Sequence, residues 1–287
     1  MNPHDPHDPH DGLPGPLVDP AWLAARLGDP RLVVFDASVG ENRGAPARIP
    51  GARPFDLDGE LSDHSAAAPP HTMPAPEAFA AAVRGLGLDD ASTVVVCDGA
   101  GVYSSARAWW MLRAMGFDRA AVLDGGLPAW AAAGFPVEEE PAAYDGPPGA
   151  FTARPRPGLV VDATAVLDAL ADPAAAVLDA RSPGRFAGTE PEPRPGLRGG
   201  HMPGAVSLPF TELRAPDGRM LPPERLRSAL SERAPAAGRL YFSCGSGVTA
   251  CVLALAADLA GYRDLAVYDG SWSEWGLPSD LPVTTGS

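Results

Sequence analysis

The chain has 287 residues, 45% hydrophobic and 20% charged, with 32 glycines and 34 prolines. That length suits two domains of ordinary size, and no run of about 18 uncharged apolar residues offers a membrane span. The formal charge of -14, with arginine supplying all 22 basic side chains, excludes sequence-independent binding to nucleic acid or anionic lipid.

The first stretch, "MNPHDPHDPHDGLPG", lacks the basic-then-apolar pattern of a secretion signal, so a cytoplasmic location is expected. Its PHD triplet holds His4, His7 and His10 at a spacing of three. With no apolar residue nearby to order it, residues 1–13 are expected to be a disordered tail rather than a metal site. The three cysteines, Cys97, Cys244 and Cys251, form no CxxC pair. They exclude a disulfide framework or a structural zinc site, and no metal is expected.

From residue 32 onward the chain contains itself twice. "LVVFDAS" (32–38) matches "AVLDARS" (176–182), and "RIPGARPFDL" (48–57) matches "HMPGAVSLPF" (201–210). "VVVCDGAGVYSSARAWWML" (94–112) matches "LYFSCGSGVTACVLALAAD" (240–258), and "AVLDGGLPAW" (121–130) matches "AVYDGSWSEW" (266–275). Asp36 lies 143 residues before Asp179, Asp98 lies 146 before Cys244, and Trp130 lies 145 before Trp275. Near-constant offsets predict tandem copies of one unit. The domains are expected at 14–140 and 159–287, joined by a Pro/Gly-rich linker at 141–158.

The second copy shows the element order. "AAAVLDA", "RLYFSC" and "LAVYDG" predict strands; "PPERLRSALSERA" and "VTACVLALAADLAG" predict helices. Apolar runs without alternation mean strands covered on both faces. Each copy is therefore expected to be an α/β domain, a parallel sheet flanked by helices on both faces. Trp109, Trp110, Trp130, Trp272 and Trp275 read as packing residues.

In such sheets reactive groups collect where strands turn into helices, and Cys244 stands at such a turn. Gly245 and Gly247 let the backbone curl so that successive N–H groups face inward, an anion-receptive nest. The helix beginning near Val248 adds its positive end. Thiols at such strand-to-helix turns are the reactive ones, which makes Cys244 the candidate nucleophile. Asp98 stands at this place in the first copy, which cannot perform the same chemistry. Cys97 reads as buried in a strand and Cys251 as structural, with a redox partnership to Cys244 as its alternative. Asp179 and Arg181 read as braces for the loop, and His201 as a structural histidine.

These pieces resemble the tandem-domain rhodanese superfamily, and within it the mercaptopyruvate sulfurtransferases. The resemblance is carried by "CGSGVTAC" (244–251), "VLDARSPGRFAGTEPEPRPGLRGGHMPGAVSLPF" (177–210), "LDGGLPAWAAAGFPV" (123–137) and "YDGSWSEWG" (268–276). It implies two rhodanese-like domains and a cycle without cofactor. Cys244 would take sulfur from a small-molecule donor as a persulfide and pass it to a thioredoxin-like protein, a small thiol or cyanide. N–H groups from Gly245 through Gly247, Val248 and Thr249 would hold developing negative charge. Arg185 and Arg194 would hold the donor's carboxylate and keto oxygens, since guanidinium forks bind carboxylates well.

Gly245 and Ser246 stand where thiosulfate enzymes of the superfamily carry basic residues, so 3-mercaptopyruvate is the expected donor, with thiosulfate as the alternative. A relay of Ser246, His71 and Asp63 would move the donor's thiol proton, with His64 a rival for His71. Two further readings compete. A cysteine phosphatase on this fold needs arginine six residues after the cysteine, and Ala250 stands there. A non-catalytic sulfur-carrier module would have no use for Ser246, Arg185 and Arg194.

Overall fold

The computed structural model describes residues 12–66, 68–139, 144–235 and 237–286. The PHD triplet and the linker positions 141–143 lie outside the described residues. The chain divides into two compact units. Of the described residues, one contains those up to Ser62 together with those of 73–156 and 216–220; the other contains those of 63–72, 157–215 and 221–286. The loop Asp63–Thr72, read from the sequence as part of the first domain, thus packs with the second unit.

In the first unit five parallel strands lie in the order β1-β5-β4-β2-β3. They are β1 (Leu17–Val18), β2 (Leu32–Asp36), β3 (Arg53–Pro54), β4 (Thr93–Cys97) and β5 (Ala120–Leu123). The helices are α1 (Pro20–Ala24), α2 (Pro76–Gly85), α3 (Ser105–Ala114) and α4 (Gly126–Ala132). Val94, Val95 and Val96 of β4 are all fully buried, as is every residue of β5 but one trace. Strands covered on both faces have no polar side, which is why their sequences run apolar without alternation.

The second unit repeats this plan in the order β6-β10-β9-β7-β8. Its strands are β6 (Val160–Val161), β7 (Ala175–Asp179), β8 (Val206–Ser207), β9 (Arg239–Ser243) and β10 (Leu265–Tyr268). Its helices are α5 (Ala163–Ala171), α6 (Pro183–Ala187), α7 (Pro223–Arg233), α8 (Ala250–Leu259) and α9 (Ser271–Trp275). Local chemistry sets their ends. Asp162 caps α5 by accepting the Ala165 N–H at 2.9 Å, and Ser182 caps α6 by accepting that of Arg185 at 3.3 Å. Gly188, at φ +76°, closes α6 in the left-handed conformation that glycine adopts freely.

Packing then fixes the carboxyl ends of the strands. Val177, Tyr268, Trp272 and Trp275 form one core with Val166 and Ala169 of α5. Helix α8 is buried from Ala250 to Ala257, so its start is anchored behind the end of β9. Trp110, Trp130, Trp272 and Trp275 are among the largest fully buried side chains, and Trp109 is buried too. Among the described residues no helix is long and apolar enough to cross a membrane.

Candidate active site

Strand β9 delivers Cys244 to its carboxyl end, where the residue is only 2% exposed. The loop 244–249 then reverses into α8, and Gly247 at φ +76° makes the turn that a side chain would strain. Three residues at the start of α9 hold this loop. Trp272 N–H donates to the Cys244 carbonyl at 3.0 Å, and Ser273 N–H to that of Gly245 at 2.9 Å. The Ser273 hydroxyl donates to the Gly245 carbonyl at 2.6 Å. The Ser271 hydroxyl accepts the N–H groups of Cys244 at 3.2 Å and Gly247 at 3.1 Å.

This corrects one expectation. The Gly247 N–H is taken by Ser271, so Gly247 shapes the loop and offers no donor to a ligand. By contrast the N–H groups of Gly245, Ser246, Val248 and Thr249 meet no protein acceptor among the described residues. Four unclaimed N–H groups together beside a buried thiol form an anion cradle.

The first unit shows the same cradle filled. Asp98, at the place of Cys244, is buried and accepts N–H groups of Ala100 at 2.8 Å, Tyr103 at 2.9 Å and Ser105 at 2.8 Å. Ala100 and Tyr103 stand where Ser246 and Thr249 stand in the second unit. Burial pushes the Asp98 carboxyl upward against the downward pull of these donors. One repeat has a carboxylate locked into the nest, and the other leaves the nest open around a thiol.

Two arginines approach the loop. A Cβ on Gly245 would lie 2.9 Å from Arg185 Nη2, so glycine here admits the guanidinium. Glu192 accepts from that Nη2 at 2.6 Å and from Nε at 3.2 Å. The same carboxylate accepts from Arg181 Nη1 at 2.8 Å. Arg181 is fully buried and also binds Asp179 at 2.7 Å and the Gly200 carbonyl at 2.8 Å, with its guanidinium 4.0 Å from the Trp272 ring centre. Burial alone would lower the Arg181 pKa, but Asp179 and Glu192 outweigh it and raise it. The brace read from the sequence for Asp179 and Arg181 is therefore a buried ion network that also aims Arg185. Arg194 donates to the Ser273 hydroxyl at 3.4 Å and has no carboxylate partner among the described residues.

His71 Nδ1 lies 2.9 Å from the Ser246 hydroxyl, at a backbone φ of +64° that is uncommon for a non-glycine residue. His64, the rival position, is exposed. Asp63 does not hold the imidazole. Its carboxylate accepts the Ser65 N–H at 2.8 Å and the Ser65 hydroxyl at 3.1 Å, a local turn that captures it within two residues. Its own N–H donates to the Thr72 carbonyl at 2.8 Å, closing the loop that carries His71.

The remaining candidates are structural. His201 stacks on Phe186 with ring centres 3.8 Å apart and lies 2.9 Å from the Phe186 carbonyl. Cys251 is fully buried and donates its thiol to the Gly247 carbonyl at 3.2 Å. Burial pushes the Cys97 thiol well up. Among the described residues no group of three or more His, Cys, Asp or Glu side chains is placed to hold a metal ion. Sequence reasoning passed over Ser271, Ser273 and Glu192. The quoted repeat held a signal for the first, since it sets Ser271 against Gly126.

The Rhodanese-like domain family matches the chain twice, at residues 19–133 and 162–277. The 3-mercaptopyruvate sulfurtransferase of Escherichia coli K12 is 40% identical over 272 residues, covering 91% of this chain and 95% of that protein. The mitochondrial thiosulfate/3-mercaptopyruvate sulfurtransferase 1 of Arabidopsis thaliana is 39% identical, covering 93% of this chain and 78% of its own length. The crystal structure of SseA from Escherichia coli, a 3-mercaptopyruvate sulfurtransferase, superposes with a TM-score of 0.79 at 35% identity, covering 91% of this chain and all of that one. Two family matches, on two sheets of one topology with one cysteine-bearing and one aspartate-bearing loop, make the chain a member of the rhodanese family with tandem domains.

Proposed function

We propose that the chain is a 3-mercaptopyruvate sulfurtransferase. Its first domain, 14–140, has a non-catalytic loop at Asp98, its segment 63–72 with His71 packing with the second unit, and its second, 159–287, carries the nucleophile. The observation that carries the reading is the contact of His71 with Ser246 in the loop of Cys244, a proton path that a donor thiol needs and thiosulfate does not. The name of the Escherichia coli relative supports the same donor, and that of the Arabidopsis relative includes it beside thiosulfate.

The reaction follows from the groups present. Arg194, and Arg185 beyond its share in Glu192, take the donor's carboxylate and keto oxygen. The Cys244 sulfur attacks the donor sulfur, an S–S bond forms, and the C–S bond breaks with its electron pair moving into the pyruvate enolate. The donor's thiol proton passes by Ser246 and His71 and returns to the enolate carbon, which leaves as pyruvate. The persulfide rests against the N–H groups of Gly245, Ser246, Val248 and Thr249 until a thiol or cyanide removes its outer sulfur. Acceptors of the thioredoxin-like or small-thiol kind, and a cytoplasmic setting, belong to the same reading. Asp63 acts on the shape of the His71 loop.

Initial rates with 3-mercaptopyruvate and with thiosulfate, against a thiol and against cyanide, test this. Mercaptopyruvate should be strongly preferred; a preference for thiosulfate would overturn the donor assignment. His71→Ala should lower kcat for mercaptopyruvate about a hundredfold or more, the usual worth of a positioned acid–base group, and leave thiosulfate turnover nearly unchanged. An unchanged mercaptopyruvate rate would remove His71 from the mechanism. Arg194→Ala should raise KM for mercaptopyruvate about tenfold to a hundredfold, the loss of a charge-assisted hydrogen bond to a carboxylate. A steady-state titration that gives an unchanged KM would take the donor off Arg194.

A further inference from the structure

Among the described residues only His71 and Ser271 are non-glycine residues at positive φ. Ser271, at φ +47°, is fully buried. Its hydroxyl donates to the Tyr268 carbonyl at 2.9 Å and accepts the N–H groups of Cys244 and Gly247. A hydroxyl has one proton and two lone pairs, so Ser271 is saturated by backbone and has nothing left for the sulfur.

The first unit shows what this position needs from the fold alone. Gly126 occupies it at φ +56°, and Leu127 N–H donates to the Asp98 carbonyl at 3.0 Å just as Trp272 N–H does to that of Cys244. A Cβ on Gly126 would lie 2.4 Å from the carbonyl oxygens of Asp98 and Gly101. The counterpart turn is therefore built on glycine, and the second unit places a serine in it against backbone preference. Strain held in a non-glycine residue marks a place where the side chain is needed. In the first unit the Asp98 carboxylate orders its loop from inside by taking three N–H groups. A thiol that must react cannot also serve as that internal lock.

We propose that Ser271 is a positioning residue for sulfur transfer. It ties the Cys244 and Gly247 N–H groups from behind, so that the Gly245, Ser246, Val248 and Thr249 donors stay turned toward the sulfur. The proposal rests on the sulfurtransferase reading for its kinetic arm only.

The full chain carrying Ser271→Gly, and separately Ser271→Ala, tests it. Glycine removes strain and hydroxyl together, in a turn whose counterpart is already glycine, so this variant should keep the fold. Both variants should lose about tenfold to a hundredfold in kcat for mercaptopyruvate, the scale of a misdirected catalytic group, with KM unchanged. Alkylation by iodoacetamide at neutral pH, scored on the Cys244 peptide by mass spectrometry, should slow several-fold. A Ser271→Gly enzyme with wild-type kcat and alkylation rate would overturn the proposal, and so would a rise in KM at unchanged alkylation. The alkylation arm needs no donor. A wild type inert toward every donor would sink the sulfurtransferase reading, while slowed alkylation of Ser271→Gly would still uphold the positioning role.

Discussion

Cys244→Ser should abolish turnover with both mercaptopyruvate and thiosulfate, a loss of at least about a thousandfold, as removal of a covalent nucleophile produces. The persulfide requires an S–S bond, and a hydroxyl can neither form it nor compete as a nucleophile near neutral pH. The substitution is a fair test because the fold should tolerate it. Serine is the smaller group, and the unclaimed N–H donors of Gly245, Ser246, Val248 and Thr249 give its hydroxyl partners. The stability change should stay within about 1 kcal/mol. Two measurements check this: initial rates, and intact-mass spectrometry after incubation with donor. The wild type should gain one sulfur atom and Cys244→Ser none. Added sulfur on the variant would move the nucleophile to Cys251, whose thiol donates to the Gly247 carbonyl, or to Cys97, whose thiol burial pushes well up.

What the sequence could reveal followed from how locally each feature is determined. Strands β7, β9 and β10 and helices α7 and α8 were legible because double-sided burial writes itself as apolar runs. The two-residue edge strands β1, β3, β6 and β8 carry no period long enough to read. Cys244 was legible because glycine on both sides of a strand end has a backbone meaning. The reach of His71 to Ser246, 175 positions apart, came from the family resemblance, since no local pattern encodes it. Asp63 was misplaced on the imidazole because Ser65, two residues on, captures its carboxylate first. Glu192 was invisible for a related reason. An acidic residue in "EPEPR" looks solvated until the fold closes it between Arg181 and Arg185.

That closure gives the largest stability effect to be expected in the second unit. Arg181 has 0% side-chain exposure, and its partners Asp179 and Glu192 have 1% and 2%. Such a network is a weak source of net stability while intact, because desolvating three charged groups offsets most of their attraction. Removing Arg181 is different, since Asp179 then stays buried without a cation while Glu192 keeps only Arg185. Arg181→Met keeps the apolar contact with Trp272 and deletes the charge, so the cost should reflect the orphaned Asp179 carboxylate, about 3–5 kcal/mol. Arg181→Lys should fall between, because a point charge cannot span Asp179, Glu192 and the Gly200 carbonyl as the planar fork does. Urea titration followed by tryptophan fluorescence reads both, with Trp272 stacked on the group replaced. A midpoint for Arg181→Met close to wild type would mean that main-chain donors take up the Asp179 carboxylate. Glu192 would then be free to pair wholly with Arg185, and KM for mercaptopyruvate should rise in a protein that remains folded.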